Sequence, residues 1–229
     1  ALITGASQGL GWELAKRLSS KGCKITILSR DESKLQDKIN ILNDQYPLST
    51  TSHDYISFDL SKPELLEDHI KRNYINYKSI NILINCAGIS QHKLLMNTST
   101  NEIINILNIN LTSSIILSKL LVKSMMKLSN PNIINISSIL SQDNVPGTSI
   151  YSISKIGLNK LSETISLEMS RKSIRCNSIL PGLIEETEIG SSVNKEYVKG
   201  NGVKCSDIAD TVDKILCDGR INGECIRVD

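Results

Sequence analysis

Tyr151 and Lys155 stand four residues apart in the run Tyr151-Ser-Ile-Ser-Lys155. Around them, residues 150–171 carry apolar side chains at helical spacing: Ile153, Ile156, Leu158, Leu161, Ile165, Leu167 and Met169. On a helix, positions i and i+4 share a face. An ammonium beside a phenol favours the phenolate, so this spacing predicts a Tyr151 pKa below the ordinary value of about 10. A phenol tuned in this way is a usable general acid near neutrality. The same spacing occurs in many helices that do no chemistry, so its meaning depends on its surroundings.

A second chemical stretch opens the chain. Residues 1–4 form a short apolar strand, followed by Gly5-Ala-Ser-Gln-Gly9-Leu-Gly11 and an amphipathic helix over about residues 10–21. Strand, glycine-rich turn and helix is the context in which a chain binds a dinucleotide. Glycine lets the backbone turn tightly and approach a pyrophosphate, and the helix start offers N–H donors and a positive dipole end. The spacing is G-x-x-x-G-x-G, and a plain strand-to-helix turn is the competing reading.

The elements that must position these groups alternate regularly. Strands are predicted over residues 24–29, 55–58, 80–84, 133–136 and 174–180, with a last short one over Cys225–Val228. Helices are predicted over 33–45, 63–74, 101–110, 112–128 and 150–171. The apolar run 80–84 suits a parallel strand buried on both faces. Such alternation predicts a single-domain Rossmann fold: a doubly wound parallel sheet of about seven strands, helices on both faces, and a nucleotide at the carboxyl edge. No linker, repeat or composition break divides residues 1–229.

Residues just past the strand ends then become candidates. After the second strand comes Ser29-Arg30, where a basic residue accommodates the 2′-phosphate of NADP and an acidic one would favour NAD. Arg30 points to NADP, with Asp31 one position late; a solvated charge at a helix start is the alternative. Asp59-Leu60 ends the third strand, and Asp59 before Ser61-Lys62-Pro63 also reads as a cap. Asn85-Cys86-Ala87-Gly88 ends the fourth with small residues that would let a cofactor ring lie on backbone, Asn85 pinning the strand.

The remaining composition mostly excludes. At 229 residues, 40% hydrophobic and 22% charged, the chain can bury a sizeable core. A net charge of +2 gives no argument for nucleic acid. No apolar run reaches spanning length by eye, and no signal or transit segment is visible. Six scattered cysteines and three histidines show no ligand spacing, so no metal is expected and the thiols are read as free.

In this order, Thr4-Gly-Ala-Ser-Gln-Gly-Leu-Gly11, Asp59-Leu60, Asn85-Cys-Ala-Gly88, Asn110, Ser138, Tyr151-x-x-x-Lys155 and Pro181-Gly182 resemble a short-chain dehydrogenase/reductase over nearly the whole chain. Within that superfamily the chain looks most like 3-oxoacyl-(acyl-carrier-protein) reductases. Residues 84–89, 134–140, 145–149 and 174–176 resemble the fungal mitochondrial members in particular.

The resemblance implies NADPH-dependent reduction of a 3-oxoacyl thioester in fatty acid synthesis. It also implies an acyl carrier protein as partner, a homotetramer, and a mitochondrial or otherwise cytoplasmic location. Alternatives are reduction of a quinone, steroid or sugar carbonyl, or a weakly active cofactor-binding partner subunit. Tyr151 would donate the proton, Ser138 would hold the carbonyl oxygen, and Lys155 would bind the nicotinamide ribose and tune Tyr151. Asn110 would kink its helix and hold a relay water, with a helix-end polar role as its rival; Ser137 is the rival of Ser138. Gly5, Ser7, Gln8, Gly9 and Leu10 would line the pyrophosphate, with Ser29, Arg30, Asp59 and Leu60 near the adenosine. Asn85, Ala87, Gly88, Pro181, Gly182, Ile184 and Thr187 would complete the cofactor site.

Three departures from the family pattern stand out. Cys86 replaces the usual Asn, one extra residue separates Pro181-Gly182 from Thr187, and the substrate lid, about residues 187–206, is short, with Gly190, Gly200 and Gly202 suggesting motion. Lys119, Lys123 and Lys127, with Arg171 and Lys172, could dock an acidic carrier or could simply form a solvated face.

Overall fold

The computed structural model describes residues 1–187, 190 and 202–229. Seven strands form its centre: β1 (Leu2–Thr4), β2 (Thr26–Ser29), β3 (Asp54–Ser57), β4 (Ile82–Asn85), β5 (Asn132–Ile136), β6 (Arg175–Pro181) and β7 (Cys225–Val228). They join one parallel sheet in the order β3-β2-β1-β4-β5-β6-β7. Order reverses between β1 and β4, which opens a crevice at the carboxyl ends of the strands.

Alternation along each strand builds two cores. Ile3, Ile27, Ile84, Ile134 and Ile179 face one side. There they bury Leu10, Leu14 and Leu18 of α1 (Gly9–Ser19), Leu35 and Leu42 of α2 (Glu32–Gln45), and Ile208, Val212 and Ile215 of a last helix, Cys205–Cys217. Leu2, Leu28, Leu83 and Ile133 face the other side. They meet Leu66 and Ile70 of α3 (Leu66–Asn73), Leu117 and Leu121 of α5 (Ser113–Met125), and Ile165 of α6 (Ser149–Glu168). The last helix, Cys205–Cys217, is α7, and α4 is Thr100–Leu107. Side chains two apart on a strand share a face, so an isoleucine-rich parallel sheet fills both layers at once.

Two sequence expectations are corrected here. The helices predicted separately over 101–110 and 112–128 are one continuous rod, because a π turn at Asn108–Thr112 joins α4 to α5. The joined helix, Thr100–Met125, is long and apolar enough to cross a membrane by length and composition. Its Ile106, Ile109, Leu117, Leu121 and Met125 are buried within the protein, as in a core helix. Second, Ile153, Ile156 and Leu167 are exposed at 54%, 53% and 77%. The buried face of α6 is built instead from Tyr151, Ser154, Lys155, Leu158, Ser162 and Ile165.

Candidate active site

The glycine-rich turn comes first. Gly5 and Gly9 have positive φ, +68° and +54°. A Cβ on Gly5 would stand 2.8 Å from the Cα of Ala87, so the β1 turn and the end of β4 touch through a bare glycine. The first turn of α1 contains no acidic residue, and Gly9, Leu10 and Gly11 line the cleft. Positive-φ turns and an uncompensated helix start form a cradle for a diphosphate. The cleft holds about 1190 Å³ and runs along the carboxyl edge of the sheet. The residues present therefore fit a dinucleotide.

Each strand end contributes to this cleft. Gly5, Ser7 and Gln8 follow β1; Ser29 and Arg30 follow β2; Asp59 and Leu60 follow β3; Ala87 and Gly88 follow β4. Ser7 and Ser29 hydroxyls meet at 3.1 Å, tying the first two strand ends together. Arg30 is exposed at the cleft, whereas Asp31 accepts the Lys34 N–H as the N-cap of α2 and lies outside the lining. Burial pushes the Asp59 carboxyl up, but the backbone and hydroxyl of Ser61 and the charges of Arg30 and Lys62 leave it below its ordinary value. Asp59 therefore caps its turn and faces the cleft.

Asn85 is a correction. Its side chain is buried away from the cleft, donating to Asn135 Oδ1 at 2.8 Å beneath the sheet. It pins β4 to β5 and lies outside the lining of the cleft. Cys86 lines the cleft in its place, and burial pushes its thiol up to about 12, so it stays protonated and inert. Pro181, Gly182, Ile184 and Thr187 close the far wall. The extra residue before Thr187 does not displace it. Its hydroxyl donates to the Ile184 carbonyl at 2.8 Å, and a Cβ on Gly9 would touch its methyl at 3.5 Å. Of the expected lid, residues 188, 189 and 191–201, Gly200 among them, lie outside the described residues.

The catalytic candidates converge where β5 ends. Ser138 and Tyr151 both line the cleft with Lys155, and the Ser138 hydroxyl is near enough to Tyr151 to act on its titration. Ser137 also borders the cleft, but its hydroxyl is turned to the Lys155 carbonyl, to which it donates at 2.9 Å. Ser138 is held in turn, because its hydroxyl accepts the Leu140 N–H while Ser141 donates to its carbonyl and Asn159 donates to Ser141.

Lys155 departs from expectation. Its ammonium donates to the Ile136 carbonyl at 2.8 Å and stands 5.6 Å from the centroid of the Tyr151 ring. Burial dominates both groups. It lowers Lys155 to about 8 and raises the Tyr151 phenol above its ordinary value, the Ser138 hydrogen bond opposing only part of that rise. The sequence reading had Tyr151 lowered by its lysine neighbour; desolvation outweighs that charge. A phenol that remains protonated at neutral pH is the form that can donate a proton.

Asn110 lies in the π turn, fully buried and behind the cleft rather than in its wall. Its amide oxygen accepts the Ile89 N–H at 2.8 Å. Its nitrogen donates to the Ile89 carbonyl at 2.9 Å and to Ser154 at 3.1 Å. A Cβ on Gly88 would lie 3.4 Å from Lys155 Nζ and 3.5 Å from Asn110 Oδ1, so both flank one glycine. The sequence reading missed Gln91, Ser141 and Asn159. Their roles are contacts made across the fold, and no local spacing announces them. Among the described residues, no group of three or more His, Cys, Asp or Glu side chains could hold a metal.

A family profile described as short chain dehydrogenase matches residues 1–198. The chain belongs to the short-chain dehydrogenase family. Members bind a nicotinamide cofactor on this fold, and the chain is an oxidoreductase by that membership. This short-chain dehydrogenase is 31% identical over 232 residues to carbonyl reductase family member 4 of Xenopus laevis, covering 99% of this chain and 94% of that one. It is 35% identical over 194 residues to 3-oxoacyl-(acyl-carrier-protein) reductase FabG of Buchnera aphidicola subsp. Schizaphis graminum, covering 85% and 76%. Among solved structures it resembles a 4-hydroxyisoleucine dehydrogenase complexed with NADH and succinate. That likeness has a TM-score of 0.84 and 25% identity, covering 100% of this chain and 97% of that one.

Proposed function

We propose that this short-chain dehydrogenase reduces a 3-oxoacyl thioester carried by an acyl carrier protein, using NADPH. The observation that carries the reading is the convergence of Ser138, Tyr151 and Lys155 on the cleft that the glycine-rich turn borders. A nicotinamide dinucleotide bound in that cleft supplies hydride. Two hydroxyls converging on one carbonyl oxygen stabilise the charge that develops there. Tyr151 delivers its proton to that oxygen, Ser138 orients it, and the Lys155 ammonium, which borders the cleft, would hold the ribose and support the phenol. Asn110 holds the π turn and the Ile89 backbone in place behind them.

Arg30 supports NADPH over NADH, because it stands at the cleft where a 2′-phosphate would lie and Asp31 is engaged as a cap. Similarity to carrier-protein reductases supports the substrate class. Lys123, Lys127, Arg171 and Lys172 are exposed and offer a basic surface to an acidic carrier; Lys119 is partly spent on Glu67 at 3.0 Å. Self-association, up to the tetramer expected from the sequence, is supported by the apolar side chains left open on α4, α5 and α6. These are Ile104, Ile115, Ile153 and Ile156, each exposed, as apolar side chains that a subunit interface would cover are. A mitochondrial location rests on sequence resemblance alone. A second reading, reduction of another carbonyl compound, is favoured by the near full-length match to a carbonyl reductase.

The test follows NADPH absorbance with acetoacetyl thioesters of carrier protein and of coenzyme A, with NADH in parallel. The proposal expects NADPH oxidation with both thioesters and a preference for the carrier form that charge reversal at Lys123 and Lys172 removes. Turnover of quinones or sugars but of neither thioester would favour the second reading.

A further inference from the structure

The start of α6 is capped by a side chain from a distant loop. Thr148, the residue before the helix, makes no side-chain cap; its hydroxyl donates to the Val145 carbonyl instead. The amide oxygen of Gln91 takes over, accepting the N–H of Ile150 at 2.7 Å and of Tyr151 at 3.2 Å. The amide nitrogen of Gln91 donates to the Lys93 carbonyl and the Thr98 hydroxyl, each at 3.0 Å, and meets the Ser149 hydroxyl at 3.5 Å. Gln91 is only 5% exposed, yet it borders the cleft. Its loop continues from Ala87 and Gly88 at the end of β4 and packs on the α6 approach, where Gly147 turns with φ +83° beside His92 and Lys93.

We propose that Gln91 is a positioning residue for Tyr151. The inference rests on the reading in which Tyr151 is the proton donor. The first N–H groups of a helix have no partner within the helix, so whatever accepts them sets where that end of the helix stands. Here one oxygen accepts two of them, one belonging to Tyr151 itself. The same residue is joined through its own loop to the strand end that borders the cofactor cleft. Gln91 thus fixes the separation between the cofactor wall and the phenol that must lie beside Ser138. An uncharged acceptor does this without bringing a negative charge to the start of the helix that carries the phenol, where added charge would disfavour phenolate and push the Tyr151 pKa up.

The test compares the wild-type protein with Gln91→Met, which keeps the length but no acceptor, and Gln91→Glu, which keeps the acceptor and adds charge. Three quantities are read: NADPH affinity by fluorescence titration, kcat with an acetoacetyl thioester, and the Tyr151 titration by phenolate absorbance relative to the Tyr151→Phe protein. Around Tyr151 the cleft carries Lys155, Cys86, His92, Asp143 and Arg227, all unchanged in these variants. Gln91→Met is expected to lose roughly 10- to 100-fold in kcat, as small misplacements of a reacting group do, with NADPH affinity held within about threefold. Gln91→Glu is expected to recover part of that loss and to move the Tyr151 titration to higher pH. Unchanged kcat in Gln91→Met, or kcat and NADPH affinity lost together, would overturn the proposal. If Gln91→Met does not fold, an unmoved Tyr151 titration in Gln91→Glu overturns it equally. The titration needs no substrate, so an inactive wild-type protein would defeat the proposed reaction without deciding this point.

Discussion

Replacing Lys155 by methionine should make the protein more stable while removing its activity. Lys155 is 4% exposed, and burial holds it near 8 against an ordinary 10.5, a nearby Cys86 thiol opposing this slightly. Below pH 8 the folded and unfolded chains both carry the proton, and the cost of burying the charge is complete. Between pH 8 and 10.5 the folded lysine sheds its proton before the unfolded one. The unfolded state then binds more protons, and stability rises with pH. At about 1.4 kcal/mol per pH unit, the cost at neutrality is ~3 kcal/mol. Methionine removes the charge but leaves the Ile136 carbonyl without its donor, a loss of about 1 kcal/mol. The net expectation at pH 7 is a gain of ~2 kcal/mol for Lys155→Met, shrinking above pH 8, gone at about pH 9.5 and turned into a loss of about 1 kcal/mol by pH 10.5. Urea unfolding of both proteins at pH 7 and pH 10 measures this, and other groups titrating in that range cancel in the difference. A variant less stable than wild type at pH 7, or a gain equal at both pH values, would refute the reasoning.

Two further outcomes are expected. Asn110→Ala removes the partner of the N–H and carbonyl of Ile89, which is half-buried at the cleft, and should cost ~1–3 kcal/mol in urea unfolding and lower turnover with it. Arg30→Asp removes the cation expected at the 2′-phosphate, and steady-state kinetics should show KM for NADPH rising roughly 10- to 100-fold while KM for NADH holds or falls.

The parallel sheet was readable because its physics is local. Ile82–Asn85 and Asn132–Ile136 are buried on both faces, and branched apolar residues at consecutive positions, Ile82-Leu-Ile84 and Ile133-Ile134, declare it. The glycine turn was equally readable, since only glycine takes the positive φ of Gly5 at such close approach to Ala87. Three things were hidden. The π turn at Asn110 arises from side-chain bonds to Ile89 and Ser154, partners that sequence spacing cannot supply. The inward face of α6 is small and polar, so counting apolar positions pointed Ile153 and Ile156 the wrong way. The pKa direction of Tyr151 depends on how much water the fold removes, and adjacency to Lys155 alone misjudged it.

The central claim is that Tyr151 donates the proton in a nicotinamide-dependent reduction. Tyr151→Phe keeps the ring and removes only the hydroxyl. NADPH titration together with NADPH oxidation on an acetoacetyl thioester compares the two proteins most directly. The account predicts NADPH affinity within about threefold of wild type and turnover lower by roughly 10²- to 10⁴-fold, the range of a positioned general acid. Turnover within a few-fold of wild type would contradict it.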